Sequence, residues 1–199
     1  MTLLLSLAYQ SWGAIMSQVK SWGKGIVFFH IGLVVSMIVL HITGKEEDWI
    51  LAHEIAGYFI MSLLIFRIGY HFYTKQPQEK LTTWLHHPKD LLHFFKNLFT
   101  HKEDKYHNPA SSYMMIALCS LIVLLFLTGS FGLVGEEESG FLSYFVTLSY
   151  SVGNFLIDQH ELLSDILYVL IVLHICGSIL SSLITKTNLL KPIFWFKKK

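Results

Sequence analysis

The sequence predicts an all-α integral membrane protein: a four-transmembrane-helix bundle with interfacial amphipathic segments. Three observations predict it. Of 199 residues, 53% are hydrophobic and 15% are charged, against about 25% charged in a soluble domain. Four apolar runs approach the ~20 residues that a helix needs to cross the hydrocarbon core. Lysines and acidic residues collect in alternate connections between those runs. This balance argues against a disordered chain and against an ordinary water-soluble enzyme. A formal net charge of +1 leaves no electrostatic footprint for nucleic acid.

The elements follow in order. Residues 1–21 lack the basic start and the small-residue cleavage site of a signal peptide. They are expected to form an interfacial amphipathic helix. Spans are expected at about residues 26–43, 53–73, 110–133 and 160–185, each as a helix because backbone amides in lipid must bond within their own segment. Thr43-Gly44 lies near the exit of the first span, and Gly129 with Gly132 near that of the third. Asn108-Pro109 supplies a capping residue and then a proline where the third begins. Between the second and third spans, Leu91, Leu92, Phe95, Leu98 and Phe99 make one apolar stripe, which suits a helix lying on the membrane surface. Residues 141–155 are expected to lie on the opposite surface in the same way. Pro192 follows the fourth span. The chain shows no internal repeat, so residues 1–199 read as a single membrane domain.

Orientation follows from the basic residues. Lys20 and Lys24 precede the first span. Lys75, Lys80, Lys89, Lys96, Lys102 and Lys105 follow the second, and Lys186, Lys191 and Lys197 to Lys199 follow the fourth. The first loop has Lys45 beside Glu46, Glu47 and Asp48, and the third has Glu136 to Glu138 and Asp158 with no lysine or arginine. The positive-inside rule therefore puts both termini and the second loop in the cytoplasm.

Eleven histidines stand against this apolar background. His86, His87, His93, His101 and His107 belong to the basic loop, show no recognised ligand spacing and read as solvated loop residues. His30, His41, His53, His71, His160 and His174 lie in or at the ends of spans, where an ionisable residue is a functional hypothesis by default. His160 and His174 are 14 residues apart, which places them on one helix face and about 21 Å apart along the axis. Structural zinc would draw four ligands to one point. Two axial ligands to two stacked haem irons need such a separation instead.

Each iron needs a second imidazole at matching depth. His30, about a turn into the first span, matches His174. His53, at the outer start of the second, matches His160. His41 stays a rival for the outer position, since it follows His30 by 11 residues at about 16 Å further out. His71 is placed at the cytoplasmic rim. Arg67, 14 residues after His53, shares its face at the inner depth. It either pairs with haem propionates or snorkels to the surface. Gly57 and Gly177, one turn beyond His53 and His174, suit either a macrocycle or helix packing. Cys119 and Cys176 lie in apolar runs, and no CxxCH is present for covalent haem attachment.

The run from His160-Glu-Leu-Leu-Ser to His174, continuing through Ser181-Ser-Leu and Asn188-Leu, resembles the last helix of the bacterial cytochrome b561 family, relatives of the Ni/Fe-hydrogenase cytochrome b subunit. His53-Glu-Ile-Ala-Gly57 leading to Phe66-Arg67 is similar to the family's second helix, and His107-Asn-Pro109 with Thr128-Gly129 also fits. One departure is Ile31, where the family often has tryptophan after the first-helix histidine. The resemblance implies two non-covalent, bis-histidine haem b groups held by His30, His53, His160 and His174. It selects His53 over His41.

The expected function is electron transfer across the membrane between a periplasmic redox partner, such as a cytochrome c or a dehydrogenase, and quinone or another membrane partner. A stand-alone superoxide/quinone oxidoreductase of the same fold is one alternative. A haem-free histidine-relay transporter is another, and it predicts a histidine chain through the membrane rather than two tiers. No residue reads as the acid, base or nucleophile of a hydrolytic site.

Overall fold

The computed structural model describes residues 22–45, 47–96 and 108–185. The expected interfacial helix at residues 1–21 lies outside the described residues, as do His101, His107 and the basic tail. Four helices are long and apolar enough to cross a membrane: α1 (Lys24–Thr43), α2 (Ile50–Tyr73), α4 (Pro109–Glu137) and α5 (Tyr150–Thr185). A shorter helix, α3 (Pro88–Lys96), lies in the connection between α2 and α4. It is the described part of the amphipathic segment expected there.

Helix starts follow local chemistry. Asn108 caps α4, its side chain accepting the Ser111 amide at 2.7 Å, and Pro109 occupies the first turn. His87 donates its amide to the Asp90 carboxylate at 2.9 Å where α3 begins. The first, second and fourth spans end at Thr43, Tyr73 and Thr185 as expected, but the exit of α4 differs. Gly129 and Gly132 do not end α4, which runs on to Glu137. They are contact points with α5: Gly129 faces His160, Gly132 faces Ile157, and Gly135 meets the backbone of Gly153. In lipid, small residues let helices approach closely, and here that role replaces termination. Glu138, at φ 53, ends the helix.

The fourth helix also begins ten residues before the expected start, at Tyr150. Residues 141–155 therefore divide. Phe141–Tyr144 is a 3₁₀ turn, and Tyr150 onward is the first part of α5. Asn154, Asp158 and Gln159 dilute the apolar signal there, but Gly153 packs against Gly135 and carries the helix on. At 36 residues, α5 is about 54 Å long and outreaches a hydrocarbon core of about 30 Å.

Two antiparallel hairpins result, α1 with α2 and α4 with α5, joined chiefly through α2 and α4. Gly25 lies against Tyr70, Gly32 against Leu63 and Gly44 against His53, which fixes the register of the first hairpin. Phe29, Ile60, Leu63, Leu64, Ile122 and Leu167 form one core cluster drawn from all four long helices. Large apolar side chains such as Phe28, Val35, Ile38, Phe59, Val169 and Leu183 face outward along the helices. Such a surface is a liability in water and suits lipid.

Candidate functional site

His53 and His160 come together at the outer end of the bundle. Their ring centroids are 6.1 Å apart, with the planes at 73°. Two imidazoles on one metal ion, at about 2 Å per bond, place their centroids roughly 6 Å apart. The surrounding hydrogen bonds decide which nitrogen of each ring carries the proton. Thr43 Oγ1 donates to the Val39 carbonyl at 2.8 Å, so its oxygen is left to accept from His53 Nδ1 at 3.2 Å. Thr128 Oγ1 likewise donates to the Leu124 carbonyl at 2.9 Å. His160 Nδ1 donates to the Leu125 carbonyl at 2.9 Å and lies 3.3 Å from Thr128 Oγ1. Both protons are thereby on Nδ1, and Nε2 of each ring keeps the lone pair that a metal requires.

The residue after each threonine is a glycine, and each glycine makes room for the same ring. A methyl group on Gly44 would stand 3.0 Å from His53 Cε1, and one on Gly129 would stand 2.9 Å from His160 Cε1. Both distances are shorter than an optimal carbon–carbon contact of about 3.5–4.0 Å. Thr43-Gly44 and Thr128-Gly129 are thus two copies of one device, a hydroxyl for Nδ1 and a cleared position against the ring. Sequence reasoning read the first as a helix exit and the second as a helix end. Their position beside a histidine appears only once the hairpin registers are known.

The second tier lies deeper. His53 meets His160, and Ile60 and Leu167, each seven residues further on, share the core cluster. The helices α2 and α5 therefore run in the same direction. Fourteen residues past the first pair, Arg67 and His174 stand at one level. His30 of α1 lies within electrostatic reach of His174. The inward faces thus read as a tier of histidines, an aliphatic layer at Ile60, Ile122 and Leu167, and a second level at His30 and His174, which the Arg67 backbone shares.

Arg67 does not snorkel. It is 4% exposed. Its Nη2 donates to the Glu79 carbonyl at 2.7 Å, and its guanidinium lies over the Trp84 ring at 5.1 Å. Its Nη1 is buried without a hydrogen-bond partner among the described residues. Glu79 has no exposed surface. Its carboxylate accepts from the Gly23 amide, from Tyr70 Oη at 2.9 Å and from Thr74 Oγ1 at 2.7 Å. Glu79 and Trp84 escaped the sequence reading. The available signal was a single acidic residue between Lys75 and Lys80, twelve positions after Arg67.

The other histidines go elsewhere. His41 packs edge-on against Tyr168 at 4.8 Å, outside the His53–His160 pair. His71 Nδ1 accepts the Leu81 amide at 3.1 Å and clamps the loop. The His86 carbonyl accepts from Tyr113 Oη at 3.0 Å. Among the described residues, no three His, Cys, Asp or Glu side chains gather to hold a metal ion.

The prokaryotic cytochrome b561 family model matches residues 21–196. The chain belongs to the prokaryotic cytochrome b561 family. This cytochrome is accordingly a multi-pass membrane protein of electron transport that binds b-type haem. No curated protein and no solved structure matches the chain. An open cleft of about 850 Å³ lies beside the outer tier, lined by Glu54, Tyr58, Glu138, Gly140, Phe141 and Tyr144. Glu54, the neighbour of His53, accepts the Phe141 amide there at 3.0 Å and ties the α4–α5 connection to α2.

Proposed function

We propose that the chain is a single-domain, di-haem cytochrome b of the cytoplasmic membrane, with His53 and His160 holding an outer haem b and His30 and His174 an inner one. The observation that carries this reading is the outer pair, His53 and His160 with their rings at 6.1 Å, together with His174 two heptads further along α5. Bound haem iron supplies one-electron redox chemistry. The residues of this chain supply the rest. Thr43 holds the Nδ1 proton of His53 and the Leu125 carbonyl, with Thr128 beside it, that of His160; Gly44 and Gly129 leave space for the rings, and the aliphatic layer keeps water from the interval between tiers. Arg67, whose backbone lies at the inner level and whose Nη1 has no hydrogen-bond partner among the described residues, is assigned to the inner haem.

Electrons pass between a periplasmic redox partner, of cytochrome c or dehydrogenase type, and quinone or another membrane partner. The charge distribution sets the orientation, with both termini cytoplasmic. Glu136, Glu137, Glu138, Asp158 and Glu161 crowd the outer end, where Lys45 is the sole lysine of the two outer connections. Such a surface attracts a cationic partner and repels an anion such as superoxide, which favours a redox protein over superoxide as the outer reactant. Two tiers separated by an aliphatic layer also disfavour a continuous histidine relay.

The test is haem content and reduced-minus-oxidised absorption of the purified protein. Two haems per chain are expected. His160→Ala should remove one and His174→Ala the other. A colourless, iron-free preparation, or loss of neither haem in these variants, would overturn the reading.

A further inference from the structure

We infer that Arg67 and Glu79 form a fixed, buried charge pair that sets the potential of the inner haem and makes the two haems inequivalent; this rests on the two-tier assignment above.

The argument starts from burial. A guanidinium that is 4% exposed and a carboxylate with no exposure are costly unless each is satisfied and the charges offset one another. Among the described residues, the three donors to the Glu79 carboxylate, the Gly23 amide and the Tyr70 and Thr74 hydroxyls, are neutral. The opposing charge among those residues is Arg67, bound to it through the backbone carbonyl of Glu79 and not through the carboxylate. The two charges are therefore held at a separation instead of collapsing into a contact pair.

The same bonds fix where the pair sits. Gly23 precedes α1 and Thr74 follows α2, so the Glu79 carboxylate sits at the helix ends. The Arg67 backbone lies six residues inside the end of α2, about 9 Å deeper and at the level of His174, and its guanidinium reaches back to the Glu79 carbonyl at 2.7 Å. Trp84 covers the guanidinium face, and the Glu79 carbonyl holds one amino group, so the charge cannot swing out to water. In a low-dielectric interior such a charge acts strongly on a neighbouring redox centre. Reduction adds an electron, which a nearby cation favours and an anion opposes. The outer tier, fourteen residues away on both helices, or about 21 Å, feels the pair much less.

The test is a spectroelectrochemical titration of the haem-loaded protein in detergent or nanodiscs, with the inner haem identified as the one lost in His174→Ala. Arg67→Gln should lower the inner midpoint, and Glu79→Gln should raise it. The outer midpoint should move far less in both. Arg67→Lys keeps the charge and should retain most of the inner midpoint. Tyr70→Phe removes a bond to Glu79 without changing charge and should leave the sign of neither effect altered. A purely structural role predicts shifts of one sign in Arg67→Gln and Glu79→Gln, or equal shifts of both haems, and either result overturns the proposal. Should Glu79→Gln fail to accumulate, the Arg67→Gln and Arg67→Lys comparison decides: equal shifts overturn it. One haem per chain in the unaltered protein overturns the two-tier reading and this proposal with it. Two haems whose midpoints ignore every substitution overturn this proposal alone.

Discussion

The outer and inner tiers use the same side chain and differ in what surrounds it. At the outer tier, each ring is seated by a threonine hydroxyl and a glycine one residue later, and Glu54 beside it is committed to the Phe141 amide. Toward the inner end Arg67 is buried and its guanidinium is held by the Glu79 carbonyl. In the proposed two-haem reading, the outer imidazole pair has a closely fitted seat of hydroxyl and glycine, and the inner pair has a fixed, buried charge at its end of the bundle. Ligand identity alone would make the two centres alike; their neighbours are what can set them apart.

The largest break in this comparison is removal of a ligand. His160→Ala is expected to cost one of two haems per chain and His174→Ala the other, with opposite survivors distinguishable by potential. Haem content by absorption checks it, and equivalent spectra from the two variants would contradict distinct tiers.

Next in size is a methyl group placed against a seat. Gly129→Ala puts carbon 2.9 Å from the His160 ring, so the ring must turn or α4 and α5 must part. Interiors resist such insertion by about 1–3 kcal/mol. Outer-haem occupancy should fall severalfold while the inner haem persists. Gly69→Ala is the matched control toward the inner end of α2, because the position is exposed and no described residue lies within 4 Å of a methyl group there, and its haem content should equal that of the unaltered protein. Equal losses in the two variants would break the contrast.

These seats also mark the limit of what the sequence made legible. The four spans follow from composition, since lipid demands long apolar helices and the chain has four. Helix ends followed where local chemistry decides them, as at Asn108-Pro109. They did not follow where tertiary contact decides. Gly129, Gly132 and Gly153 carry helix-breaking chemistry but serve close approach between α4 and α5, so α4 runs longer and α5 starts earlier than hydropathy suggests. The histidine spacing and Arg67 were visible because helical periodicity is a property of one segment. Thr43, Thr128 and Glu79 were not, because each acts on a residue of another helix or loop, and the register between elements is absent from any single segment.

The smallest expected effect separates the two outer seats from each other. Thr43→Val and Thr128→Val both remove a hydroxyl of nearly unchanged volume from a buried Nδ1. Loss of such an outer-shell partner typically costs 10–100-fold in metal affinity. The two should not be equal. His160 Nδ1 keeps the Leu125 carbonyl at 2.9 Å, a shorter contact than the 3.3 Å to Thr128, so its proton stays bound and its ring stays oriented. His53 relies on Thr43 at 3.2 Å, with the Leu40 carbonyl as its remaining neighbour. Thr43→Val should therefore weaken outer-haem retention during purification more than Thr128→Val, and leave the inner haem untouched. The reverse order would mean that the carbonyl at Leu125 does not hold His160, and that the hydroxyl sets the ring on both hairpins.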